Sequence, residues 1–225
     1  MTTASSERSG TQARTLADEL RRLREESPIA NPVLELARDD RIELEHLRRL
    51  VGVELQCHRA ELAAYGTVMA RYPHSPTAGL YLAVGRLVYD AHAKLRECAA
   101  ALDIPAERIG TWPPGPAAYA FSGCISWLAL HGGQADNALA LHCDMTVYFP
   151  DCASLVELLR DKGTKAPQEF FDYYEGGQSD ELEQQALDVV QYGLDQGEDA
   201  ATALSRARLL EENIGRFWQA AAALD

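Results

Sequence analysis

The chain has 225 residues, of which 47% are apolar, and that length with that apolar share fits one compact domain with a sizeable core. Its 21 Lys and Arg stand against 34 Asp and Glu, a formal net charge of −13; this is the wrong field for a phosphate backbone, so no nucleic-acid partner is expected. The longest stretch without Asp, Glu, Lys or Arg, Ile109 to Ala135, is interrupted by Pro113, Pro114, Pro116 and Gly132-Gly133, and the start through Arg14 is polar. Neither a membrane span nor a signal peptide fits, and a cytoplasmic protein is expected. Cys57, Cys98, Cys124, Cys143 and Cys152 are odd in number and form no C-x-x-C pair, against a disulfide framework or a zinc knuckle.

The dominant period along the chain is helical. Residues 1–12, mostly Ser, Thr and Gly, offer nothing to bury and read as a disordered tail ahead of a single domain over 13–225. Leu16, Leu20 and Leu23 then predict a short helix before Ser27-Pro28. Asn31-Pro32 reads as an N-cap followed by proline at the first helical position, and starts a second helix. Leu47, Leu50, Val51, Glu54, Cys57, His58 and Leu62 follow a 3/4 spacing within a helix over about 41–71, and Ser75-Pro76 opens the next, carried to Leu102. Gly110 to Pro116 is a loop, because its prolines remove donors and push their predecessors toward extended backbone. Helices follow over 117–131 and 134–149, then a short one after Pro150-Asp151, an aromatic segment from Phe170 to Tyr174, a helix over about 179–194 and a last one over about 198–224. No hairpin signal and no repeat interrupts them, and the fold class is all-α, a helical bundle.

Residues able to carry chemistry are the polar ones on apolar stripes. Glu54 follows Val51 by three, Leu50 by four and Leu47 by seven, which points its carboxylate inward, as an ion-pair partner or as an acid, base or ligand in a pocket. Cys143 shares a face with Leu139, Ala140 and Val147, and is either a small hydrophobe or a nucleophile. A metal would draw on Glu54, His58 and His92, but the Glu-x-x-His spacing of bundle di-iron sites occurs only at Glu43 and His46, so no metal is expected. The aromatic set that includes Tyr119, Phe121, Tyr148, Phe171, Tyr173, Phe217 and Trp218 is packing, or the lining of a cavity for a planar ligand.

In their order these segments resemble the heme-oxygenase-like fold, specifically its thiaminase II (TenA) branch. The acidic helix is Leu47 to Leu55, the Ala-Tyr segment after a Pro-rich loop is Pro116 to Ser122, the Cys helix is Ala138 to Tyr148, and the last helix with Phe-Trp is Arg206 to Ala220. The resemblance implies a single-domain bundle from about residue 30 onward and puts the family's pyrimidine-gripping Asp at Glu54, its active-site Cys at Cys143 and its first Tyr at Tyr119. Its second Tyr falls on Ser122. Its acid/base Glu falls on Ile214, with Glu211 one turn earlier as a substitute.

A hydrophobic residue at 214 cannot take a proton, so the resemblance implies a relative that has left thiamin chemistry. The expected protein is a homo-oligomeric, biosynthetic small-molecule enzyme acting on a heteroaromatic or amine-bearing metabolite. Glu54, Cys143 and Tyr119 would be catalytic, and Ser122, Tyr148, Tyr173, Phe171 and Glu211 would line the substrate. No cofactor is expected. The alternatives are a heme-oxygenase-like iron oxidase, whose third core helix would offer only His142 and Asp144, and a non-catalytic ligand-binding protein on the same fold.

Overall fold

The computed structural model describes the backbone of residues 3–224 and the side chains of residues 12–224. Its elements are α1 (Thr3–Glu26), α2 (Pro32–Arg38), α3 (Leu44–Arg71), α4 (Thr77–Ala101), α5 (Ala120–His131), α6 (Gln134–Asp161), α7 (Gln168–Tyr174), α8 (Asp180–Asp195) and α9 (Ala200–Ala222), with 3₁₀ turns at Ala106–Arg108 and Ala117–Tyr119. No strand occurs among the described residues. Asn31 caps α2 as the sequence predicts, its Oδ1 accepting from Leu34 N at 3.1 Å, and caps also begin α8, where Ser179 Oγ accepts from Leu182 N at 3.3 Å, and α9, where Asp199 Oδ1 accepts from Thr202 N at 2.8 Å.

α3 and α6 are the two longest helices, at 28 residues each. α3 lies against α4, α5 and α9, and α6 against α8, α9 and α2. Both are therefore enclosed on several sides, which is why α3 buries not only Leu47, Leu50, Val51 and Leu55 but also Arg49, Glu54, Gln56, His58 and Glu61. α9 contributes a cleaner stripe: Ala203, Ala207, Leu210, Ile214, Phe217, Trp218 and Ala221 are all buried.

The structure corrects the sequence reading at two places. The helix predicted to stop at Phe149 runs on through Pro150 to Asp161. Proline at 150 removes one bond, to the Thr146 carbonyl, and its ring is exposed, while continuing the helix buries Cys152, Leu155, Val156 and Leu159; packing of those four side chains outweighs one lost bond. The helix of Leu16, Leu20 and Leu23 is longer than expected, α1 beginning at Thr3 within the stretch read as a tail over 1–12. Residues 1–2 of that expected tail lie outside the described residues.

Two glycines permit close approaches between segments. The Glu198 carboxylate accepts from the α6 backbone amides of Gln134 at 2.9 Å and Ala135 at 2.7 Å, satisfying donors that a helix start leaves open. A Cβ on Gly133 would stand on that carboxylate. On α3, Gly52 lets the Pro-rich loop close over the helix: a Cβ there would lie 2.7 Å from the Trp112 carbonyl oxygen and 2.8 Å from its ring. Gln56 Nε2 donates to Pro113 O at 3.1 Å next to it. Gly52→Ala is expected to push the loop off α3 and cost roughly 1–3 kcal/mol, read as a lower urea midpoint at unchanged m-value.

Candidate functional site

Two turns of α3 place Glu54, His58 and Glu61 at i, i+4 and i+7, on one face. α6 presents Asp144, Tyr148 and Cys152 at i, i+4 and i+8, and the short α7 adds Tyr173 and Tyr174. These residues converge on a cavity of about 230 Å³, which is smaller than a drug-sized site. α4 supplies its apolar side through Leu87, Val88 and Ala91. A smaller void of about 20 Å³ lies behind the carboxyl groups, closed by Cys57, Phe121, Ile214 and Phe217.

Tyr173 ties α7 to α3. Its hydroxyl donates to Glu54 Oε1 at 3.2 Å and meets His58 Nε2 at 2.8 Å; with the phenol proton on Glu54, His58 must donate its Nε2–H to the phenol oxygen. His58 Nε2 is also 3.5 Å from Glu54 Oε1. Burial pulls His58 down, but the hydrogen bond and charge of Glu54, with the charge of Glu61, lift it above its ordinary value. Glu61 accepts from Tyr65 OH at 3.4 Å.

Loss of hydration pushes the Glu61 carboxyl up to about 8 against the pull of His58, with Asp144 and Glu54 adding like-charge repulsion. The same loss of hydration, and then the Glu54 charge, raise Asp144 to about 7. Two carboxyl groups are thus poised to exchange protons near neutrality. Tyr148, Tyr173 and Tyr174 are all raised, first by burial, and remain proton donors. The hydroxyls of Tyr148 and Tyr174 have no hydrogen-bond partner among the described protein groups.

No protein-family model and no curated protein matches the sequence. The X-ray structure of a TenA homologue from Pyrococcus furiosus aligns with a TM-score of 0.69 over 92% of this chain and 99% of that one, at 14% identity. The fold is that of TenA. The heme-oxygenase-like bundle implied by the order of the sequence segments therefore stands as the architecture, while the chemistry must be read from these side chains.

Within this TenA fold the structure brings Glu54, Tyr148 and Tyr173 together in the cavity. It places Cys143 elsewhere. Neighbouring residues on a helix point about 100° apart, and because α6 is enclosed on several sides, its apolar face does not identify the cavity face. Asp144 takes the place facing the cavity, while Cys143 is buried toward Glu211, its thiol raised first by burial and then by that carboxylate. Glu211 itself is fully buried, 3.3 Å from Arg24 and 2.7 Å from Arg208, and is an ion-pair partner away from the cavity lining. Tyr119 lies in the 3₁₀ turn and is 46% exposed; Phe121 fills the wall instead. Phe171 packs edge-on against Phe170 beneath the Arg160 guanidinium. Ser122 stands behind the lining, with its hydroxyl 3.8 Å from Cys57 Sγ.

The sequence reading passed over Glu61 and Asp144 as site residues. The signals were present as Glu54 and Glu61 seven apart and Asp144 and Tyr148 four apart, polar residues repeating at helical spacing on helices that also carry apolar stripes. As for iron, the described residues contain no group of three or more His, Cys, Asp or Glu placed to share a metal ion. His58 spends Nε2 on Tyr173, and α6 brings one carboxylate with a tyrosine and a cysteine rather than histidine. The donor set does not fit a di-iron centre.

Two measurements follow from these environments. Glu61 and Asp144 hold protons in the folded protein above their ordinary values of 4.5 and 3.8, so the stability linked to them is complete at lower pH and is lost as pH rises to about 7 and 8. Urea midpoints should fall across that window, and Glu61→Gln or Asp144→Asn should flatten the fall. Glu211→Gln should instead cost roughly 3–5 kcal/mol near neutral pH, because it takes the fully buried carboxylate away from two partly buried guanidinium groups.

Proposed function

We propose that this protein is an enzyme of small-molecule biosynthesis that binds a heteroaromatic or amine-bearing metabolite in the α3–α6–α7 cavity and transforms it by acid/base chemistry. The convergence of Glu54, Glu61 and Asp144 carries this reading. Glu54, fixed by Tyr173 and His58, anchors the ligand nitrogen. Asp144 and Glu61 exchange protons with the reacting atoms, since an acid or base works best when it titrates near the working pH. Tyr148 and Tyr174 offer unspent hydroxyls to orient the ligand.

Thiolate attack is disfavoured. Cys57 and Cys152 line the two spaces, and burial, followed by the charge of Glu54, raises both thiols well above their ordinary value. The place that the resemblance gives to a carboxylate holds Ile214, buried against the void. Thiamin and aminopyrimidines should survive incubation with the protein, and Cys143 should react slowly with iodoacetamide at neutral pH.

Untargeted mass spectrometry of a metabolite extract incubated with the protein tests the main reading. Wild type should consume at least one nitrogen-bearing metabolite. Glu54→Gln should abolish that turnover, and Asp144→Asn should slow it by roughly 10²–10⁴-fold while melting at or above the wild-type temperature. Turnover should persist after exhaustive chelation. A metabolite retained in native mass spectra but never consumed would identify a binding protein, and stoichiometric iron lost in Glu54→Gln would identify an oxidase.

A further inference from the structure

The cavity changes character with depth. Its innermost polar lining is three carboxyl groups around one histidine: Glu54, His58 and Glu61 are buried on α3, with His58 engaged by Tyr173, and Asp144 faces the same space from α6. Its side is apolar and aromatic, from Val88, Ala91, Phe149 and Tyr174. Tyr174 is 2% exposed and its hydroxyl has no partner, a buried donor that a polar ligand would satisfy.

Three exposed charged residues form the rim: Asp90, Lys94 and Asp172. Two of them are engaged. Asp90 Oδ2 accepts from Arg86 Nε at 2.6 Å, and Asp172 Oδ1 from Gln168 Nε2 at 2.7 Å. Lys94 makes no hydrogen bond or ion pair with a described residue, although Asp90 lies one turn away. Among the described residues it is the one Lys or Arg on the lining. α4 presents it on the same face as Leu87 and Ala91, at i, i+4 and i+7.

We infer that the ligand is amphoteric: a small, flat molecule with a basic nitrogen seated among Glu54, Glu61 and Asp144 and a carboxylate met by Lys94 at the rim. This rests on the proposed amine-binding role of the cavity and adds the second half of the ligand. The inner carboxyl groups select the nitrogen, where desolvation makes an unmatched charge costly. Lys94 selects the acid at an exposed site, so its effect is modest and sensitive to salt.

Three probes sharing one ring separate the possibilities in calorimetric or ligand-observed NMR titrations of the full chain: benzylamine, 4-(aminomethyl)benzoate and 1,4-bis(aminomethyl)benzene. The amino acid should bind about two- to fivefold tighter than benzylamine at low salt. That gain should disappear in Lys94→Ala, persist in Lys94→Arg and shrink as salt is raised. Lys94 is exposed on its helix, and the wild-type ranking of the three probes needs no variant. An amino acid no tighter than benzylamine, a gain that survives Lys94→Ala, or a diamine that binds tightest would each overturn the inference. If benzylamine binds and Glu54→Gln removes it, such a result rejects the rim role alone. If benzylamine and both larger probes leave the protein unbound, the amine-binding role fails and the amphoteric ligand fails with it.

Discussion

Glu54, Glu61 and Asp144 share one enclosed space, and the cost of ionising them together governs what surrounds them. Each charge added there loses hydration and feels the others through a medium less screening than water. The neighbouring groups are those that relieve this cost without cancelling it. Tyr65 and Tyr173 donate hydrogen bonds to Glu61 and Glu54, and the His58 imidazole, its affinity for a proton raised by those carboxyl groups, stands 3.5 Å from Glu54. Among the described residues no arginine lines the cavity. A guanidinium would fix the carboxylates as permanent anions; phenols and an imidazole leave protons to be exchanged.

The bundle holds this arrangement through lengths and closures. α3 must be long enough to carry Glu54 through Glu61 in its middle while its ends pack on other helices, and α6 must continue past Pro150 to set Cys152 beside Tyr148. Tyr173 then joins α7, a helix of 7 residues, to the centre of α3. A helix that short has little stability of its own. Its place is fixed by Phe170 and Tyr174, both buried with ring centroids 4.5 Å apart, and by the phenol that reaches the acidic group. Organisation of the site and docking of α7 are therefore the same event.

Much of the architecture was legible because it rests on local rules. Asn31-Pro32 and Ser179 announce helix starts, and the Leu47, Leu50, Glu54 spacing turns a carboxylate inward on any helix packed along that stripe. Pro150 misled because a local penalty was weighed without the buried side chains beyond it. Cys143 misled for a related reason. On a one-sided helix the apolar face and the cavity face coincide, but α6 is surrounded, and the residue that meets the cavity is the polar neighbour, Asp144. Partners brought from distant segments left no local trace at all: nothing near Glu211 in sequence announces Arg24 against it.

Glu211 and Glu61 show how the same side chain takes opposite roles inside one bundle. Both are buried carboxyl groups on long helices. Glu211 meets Arg24 and Arg208, each itself partly shielded, and the three tie α1 to α9. A charge matched in this way is costly to remove, which suits a fastener. Glu61 meets a phenol and two other carboxyl groups, and its proton is held on energetic terms close to those of the solvent near neutrality. The helix between them, α6, turns Cys143 toward the first environment and Asp144 toward the second. The step of one residue along α6 therefore separates a structural ion pair from a proton-exchanging cavity, and the chemistry of the protein follows from which carboxyl groups were left without arginine.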